Sequence, residues 1–194
     1  MTRFFSKTLL LSFTLGALCA SSLFAARASK TPNDIYLNGN NSTGDNGYIT
    51  LLGGYGDVSK DSLSSSGASG GLNLGVLWGS NFATEISGYI FPNVKVGDSK
   101  VYSDVYAAAF AGEFIANMAT DVQLFAKVGV GYTSAKQGEG ESAKNKTAVT
   151  PMFGLGGNYA LTDSLEGQIS GVTFLKRKDV PALQGVYLGL NWRF

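Results

Sequence analysis

The sequence predicts an all-β protein, an eight-stranded antiparallel transmembrane β-barrel. Three observations carry the prediction. Apolar residues recur with period two rather than 3.6. The connections between the periodic runs alternate long and short. The aromatic residues gather near the two ends of the runs, as they do where amphipathic rings sit at a lipid–water boundary.

The clearest run is Gln123-Leu124-Phe125-Ala126-Lys127-Val128-Gly129-Val130-Gly131-Tyr132. Val122, Leu124, Ala126, Val128, Val130 and Tyr132 share one face. Gln123, Phe125, Lys127, Gly129, Gly131 and Thr133 share the other, which is polar or small.

In chain order the first strand is 47–56, with Tyr55 facing out. The second, 68–79, turns Asn73 inward and Trp78 outward, and the third, 82–91, carries Phe82 outside and Glu85 and Tyr89 inside. In the fourth, 101–114, Tyr102, Phe110 and Phe114 face out and Glu113 faces in. Its alanines 107–109 suit a helix, but the glycines within these runs disfavour one and permit close packing in a sheet. The fifth is the run around Leu124 to Tyr132. The sixth, 147–160, places Asn158 inward and Tyr159 outward, and the seventh, 165–174, turns Glu166 and Gln168 inward. The eighth, 182–194, turns Tyr187, Asn191 and Arg193 inward.

Long connections are expected at 57–67, 92–100, 134–146 and 175–181, and short ones at 80–81, 115–121 and 161–164. All the long ones fall at one end. With the apolar faces outward, Trp78, Phe82, Phe110, Phe114, Tyr159, Trp192 and Phe194 gather near the short-turn end. Tyr55, Tyr102 and Tyr132 gather near the long-loop end. A membrane barrel has this form, with short periplasmic turns, longer extracellular loops and two aromatic girdles.

The N-terminus has a different character. Arg3 and Lys7 precede an uncharged apolar stretch, Leu9 to Leu18, followed by small residues and Ala26-Arg27-Ala28. This reads as a signal peptide, residues 1–28, with cleavage after Ala28 or after Ala25. Leu18 is too large for the usual lipidation box before Cys19. Residues 29–45, rich in Asn, Gly, Ser, Thr and Asp, read as a flexible leader before a barrel at 46–194. The only cysteine is Cys19, so the exported chain is expected to rely on no disulfide.

Removing residues 1–28 takes away three basic residues and no acid, leaving 12 basic against 14 acidic and a net charge of −2. No basic run is long enough to follow a phosphate backbone, so nucleic acid is not an expected partner. Charged residues are only 15% of the chain, and glycines number 26 of 194 residues. Histidine is absent, which removes every triad or dyad that needs imidazole, the usual zinc sites and the histidine-dependent barrel hydrolases. No outward-opening Ser–Lys pair replaces them. Neither enzyme chemistry nor a cofactor is expected.

At the C-terminus Val186, Leu188, Leu190, Trp192 and Phe194 alternate on one face and the chain stops at an aromatic residue. This strand resembles the terminal strand of bacterial outer-membrane β-barrels, in which Leu190, Trp192 and Phe194 would form the signal read by the assembly machinery. With the signal peptide and the loop alternation, the exported chain resembles the small eight-stranded family that includes the barrel of outer-membrane protein A and outer-membrane protein X. The resemblance implies a Gram-negative outer membrane. It does not extend to a peptidoglycan-binding domain, so no cell-wall tether is implied.

An eight-strand interior is just wide enough for side chains to fill. Glu85, Glu113 and Glu166 against Lys127 and Arg193 are therefore expected to form a lumenal charge network, with Glu166 and Arg193 paired at the periplasmic end. At the other end, 134–146 is expected to be solvated and mobile. Lys176, Arg177 and Lys178 form a basic cluster suited to lipopolysaccharide phosphates, or are ordinary positive residues beside an anionic leaflet. Two functions follow: a structural or surface-interaction barrel with a closed lumen, or a narrow channel for ions or small molecules.

Overall fold

The computed structural model describes residues 47–60, 63–96, 99–138, 143–177 and 180–194. Residues 1–45, the expected signal peptide and leader, lie outside them, as do Asn46 and Lys178. Every regular element described is a strand: β1 (Gly47–Lys60), β2 (Leu63–Leu77), β3 (Phe82–Ile90), β4 (Val94–Val96), β5 (Ser99–Ala119), β6 (Val122–Gln137), β7 (Lys144–Ala160), β8 (Leu165–Phe174) and β9 (Ala182–Arg193).

Eight of them pair antiparallel in sequence order, β3 passing directly to β5, and β9 closes on β1. Short β4 forms a hairpin with the outer end of β5. The seam is sealed where Gly47 and Phe194 exchange both backbone hydrogen bonds, at 3.1 and 2.9 Å. Closure leaves no unpaired edge within the apolar band, the condition for a sheet to cross lipid.

The register sets the barrel's dimensions. One perpendicular ladder runs Tyr48, Gly75, Glu85, Ala111, Gly129, Met152, Phe174, Leu183 and returns to β1 at Val58, ten residues above its start. A shear of ten over eight strands, with about 3.3 Å per residue and 4.8 Å between strands, tilts the strands by about 40°.

The expected parity holds along the walls. Leu51, Leu188, Val130 and Leu155 face outward, Leu188 with 68% of its surface exposed, while Asn73, Glu85, Glu113, Lys127, Asn158, Glu166, Gln168 and Asn191 face in and are buried. Trp78, Phe114, Trp192 and Phe194 form the lower girdle, and Tyr55, Tyr106 and Tyr132 the upper one. Phe114 and Tyr106 are eight residues apart on β5, so the girdles are separated by about 20 Å along the axis.

Three expectations need correction. Tyr102 is buried rather than outward, with 3% exposure. Between Ser103 and Tyr106 the β5–β6 register slips, and Asp104 sits there at φ 50°, so the bulge reverses parity and Tyr106 takes the girdle position. Phe110 does face lipid, but it pairs with Ile86 and Val130 in mid-strand, well above the lower girdle. The long connections are largely strand. β1 and β2 stay paired to Lys60↔Leu63, and β6 and β7 to Gln137↔Lys144, so 57–60 with 63–67 and 134–137 with 144–146 are projecting strand pairs. Above the membrane neither face meets lipid, so apolar alternation stops while the hydrogen-bond ladder continues.

Pro151 lies inside β7, where a missing N–H would normally break a ladder. Leu175 N–H donates to the Pro151 carbonyl at 3.1 Å, and the β7–β8 pairing ends at the neighbouring pair Met152↔Phe174. The proline nitrogen therefore faces the chain just beyond the last residue of β8, where its missing N–H costs at most one bond at the end of the ladder.

Candidate functional site: the lumen and the outer rim

The interior divides into a polar lower half and an apolar upper half. In the lower half, Glu113 and Lys127 are direct cross-strand partners on β5 and β6, and Glu85 lies one strand further on β3. The lysine stem spans that interval. Its Nζ reaches Glu85 Oε2 at 2.6 Å and Glu113 Oε2 at 3.1 Å, with only 4% of Lys127 and 1% of Glu85 exposed.

Glu85 is the better-held carboxylate. Tyr48 Oη donates to its Oε2 at 3.1 Å and Ser87 Oγ to its Oε1 at 2.7 Å. Glu113 lies within ion-pair reach of the ammonium but out of hydrogen-bond alignment with it. The Lys127 ammonium also stands 4.8 Å from the centre of the Phe125 ring.

A second cluster closes the short-turn end of the lumen. Arg193 Nη2 lies 2.7 Å from Glu166 Oε1 and donates to Gln123 Oε1 at 2.9 Å. Asn191 Nδ2 donates to Glu166 Oε2 at 2.8 Å, Thr50 Oγ1 donates to Asn191 Oδ1 at 3.2 Å, and Gln123 Nε2 donates to Asn117 Oδ1 at 2.9 Å. Glu166 and Arg193 thus stand together at this end, while Glu85, Glu113 and Lys127 form a separate group one layer up. Tyr48, Thr50, Ser87 and Gln123 belong to these clusters too. Their inward parity was readable once the strands were assigned, but nothing in their residue types singled them out.

The upper half is filled by aromatic and aliphatic side chains. Tyr89 packs against Phe174 edge-on at 5.7 Å and against Tyr187 at 5.5 Å, and Phe91 meets Phe174 at 6.3 Å. Met152, Leu183, Val172, Leu52 and Val58 complete the cluster. Tyr187 Oη and Ser69 Oγ share a 2.9 Å hydrogen bond, so this tyrosine brings its hydroxyl a partner. Bulky chains fit because glycines face them across the wall: a Cβ at Gly75 would meet the Tyr48 ring, and one at Gly131 the Phe174 ring. Among the described residues no group of three His, Cys, Asp or Glu is placed to hold a metal ion.

At the outer rim Lys176 and Arg177 are exposed just above Phe174, and Arg177 pairs with Val180 in a tight bridge. Lys136 on the β6 hairpin is bound to Asp104 at 2.8 Å, and that hydrogen bond pushes its ammonium pKa up. Leu190 and Trp192 face outward on β9, with the terminal Phe194 exposed just beyond them.

Solved structures share this architecture. Neisserial surface protein A superposes with a TM-score of 0.67 at 14% identity, covering 76% of this chain and 97% of that one. The N-terminal β-barrel domain of Pseudomonas aeruginosa OprF gives 0.57 at 11% identity over 76% and 96%. Ail, the attachment invasion locus protein of Yersinia pestis, gives 0.53 at 14% identity over 77% and 99%. No protein-family model matches the chain, and no curated protein sequence matches it. At such identities the likeness is one of fold: an all-antiparallel closed eight-stranded barrel of the small outer-membrane type.

Proposed function

We propose that this chain, with the fold of the small outer-membrane barrels, is an integral protein of the bacterial outer membrane with a structural or surface-interaction role and a closed lumen. The observation that carries the closed lumen is the buried Lys127 ammonium held between Glu85 and Glu113, beneath a separate aromatic plug around Tyr89, Phe174 and Tyr187. The girdles of Trp78, Trp192 and Phe194 below and Tyr55, Tyr106 and Tyr132 above support the membrane placement. Export would follow cleavage of residues 1–28, and Leu190, Trp192 and Phe194 would serve the assembly machinery. No catalytic role is proposed, and no cofactor is required.

The test is single-channel conductance of refolded residues 29–194 in a planar bilayer, after a heat-shift gel confirms folding. A silent barrel is the expected result. Steady, reproducible steps would favour the narrow channel instead, with the lumenal charges, three carboxylates against two cations, lining a cation path.

The outer leaflet is the first partner of the rim. Lys176 and Arg177, with Lys178, would contact lipopolysaccharide phosphates, each contributing about 1 kcal/mol at an anionic surface. Replacing all three with Gln should weaken lipopolysaccharide binding by the refolded barrel. Unchanged binding would remove them from the interface.

A further inference from the structure

We infer that Lys127 and Glu85 are the reactants of an intramolecular condensation, with Glu113 as its base, and that the newly folded barrel converts their ion pair into an amide joining β6 to β3. The inference rests on the closed lumen, since bulk water in this layer would hydrate the three groups and hold them as ions.

The geometry supplies each part. Lys127 Nζ lies 2.6 Å from Glu85 Oε2, so amine and carboxyl are in contact before any bond forms. Such placement replaces a bimolecular encounter with an intramolecular one, an advantage that reaches effective molarities of about 10⁵ M or more. Glu113 Oε2 stands 3.1 Å from the same Nζ and accepts no hydrogen bond, which leaves a lone pair to take a proton from it. The other oxygen of Glu85, Oε1, accepts from Ser87 Oγ at 2.7 Å, so a donor already stands where negative charge gathers when the carbonyl is attacked. Tyr48 Oη donates to Oε2 at 3.1 Å, beside the oxygen that leaves. The Phe125 ring, its centre 4.8 Å from Nζ, covers the amine.

The cluster carries one cation against two carboxylates, and the reaction needs that number of protons. Moving one proton along the 2.6 Å contact from Nζ to Glu85 Oε2 leaves a neutral amine, a neutral carboxylic acid and the Glu113 carboxylate. In water the ions prevail. Here the three side chains are at most 4% exposed, and burial penalises every charge. Nζ then attacks Glu85 Cδ while Glu113 takes a proton from it, and the tetrahedral carbon holds its negative charge on Oε1, against Ser87. Glu113 returns the proton to Oε2 as the Cδ–Oε2 bond breaks, and one water leaves. One C–N bond replaces one C–O bond, nothing is oxidised or reduced, and Glu113 ends as the carboxylate it began as. Two opposite charges have left the lumen, and the polar closure has become a covalent strut between β3 and β6, across β5.

The protein is expressed as the full chain, isolated from bacterial outer membranes, unfolded by heat and digested with trypsin for mass spectrometry. The amide should block cleavage at Lys127 and join peptide 61–95, which holds Glu85, to peptide 101–136, the pair lighter by one water than its parts. Glu113→Gln should keep the heat-shift, release the two peptides separately and restore cleavage at Lys127. If Glu113→Gln fails the heat-shift, Glu113→Ala takes its place.

Separate peptides from the parent, with Lys127 cleaved, would overturn the proposal. So would a closed ring within 101–136, which would make Glu113 the electrophile, or a joined peptide at the parental level in the Glu113 variant. A linear chain in a barrel that stays silent in the bilayer overturns the amide and leaves the closed lumen standing. Steady current steps would remove the dry layer on which the amide depends.

Discussion

Replacing Lys127 with Met keeps a side chain of similar length but removes the only cation between Glu85 and Glu113. The ammonium lies 2.6 and 3.1 Å from the two carboxylates, and the three side chains are 2%, 0% and 4% exposed. Water cannot re-solvate the carboxylates there, so breaking this cluster should cost about 3–5 kcal/mol, the range for a buried ion pair stripped of one partner. Urea titration of the barrel refolded into lipid vesicles, followed by tryptophan fluorescence and the heat-shift gel, measures it. The neutral triple variant Glu85→Gln, Glu113→Gln, Lys127→Met should recover most of the loss, because nothing charged is then left buried. The two carboxylates should also differ. Glu85→Gln disturbs contacts with Lys127, Tyr48 and Ser87, whereas Glu113→Gln removes the less aligned partner of a cluster that carries one carboxylate too many, and should cost less. A Lys127→Met loss under about 1 kcal/mol, the scale of an exposed pair, would refute the reasoning. So would a triple variant no more stable than the single one.

Two further outcomes follow from the geometry. Gly75→Ala would drive a methyl into the Tyr48 ring and should sharply reduce the folded fraction on a heat-shift gel, whereas Gly53→Ala, with nothing within 4 Å, should refold as the parent does. The exposed Lys136–Asp104 pair predicts a pH effect of known sign. The hydrogen bond raises the folded-state pKa of Lys136, so its contribution is present below the ordinary lysine value of about 10.4 and is lost as pH rises through the raised one. Titration of the Lys136 Nζ resonance should move down in Asp104→Asn; an unchanged midpoint would show that the pair does not persist in solution.

The wall was legible in the sequence because lipid demands it. Every second residue of Leu124 to Tyr132 must be apolar, and the inward Lys127 interrupts nothing. Legibility ends where that demand ends. Above Tyr55 and Tyr132 both faces of a strand meet water, so the Ser-rich 63–66 and the Lys-rich 144–146 carry no alternation and read as loops, although the ladder holds them in strands. Tyr102 was misplaced because one bulge at Asp104 reverses every face beyond it, and an aspartate at φ 50° has no sequence signature as strong as a glycine's. The choice of Glu85 as the main partner of Lys127 depended on the tilt. A side chain on β6 reaches β3, across β5, only through a register that the sequence does not print.

The same tilt bears on the choice between plug and pore. Because the ladder climbs ten residues in one circuit, inward positions form layers, and the residues of each layer come from every strand. The polar layer of Glu85, Glu113 and Lys127 and the apolar layer of Tyr89, Phe174, Met152 and Tyr187 therefore close the lumen at different heights by different physics. An ion path would require the lysine to exchange partners and, separately, aromatic rings that contact one another at 5.5 to 5.7 Å to part. Rearranging the charges alone still leaves the ring contacts of Tyr89 with Phe174 and Tyr187 to be broken. Two closures at different heights favour the closed barrel, and they move the search for function to the projecting strands.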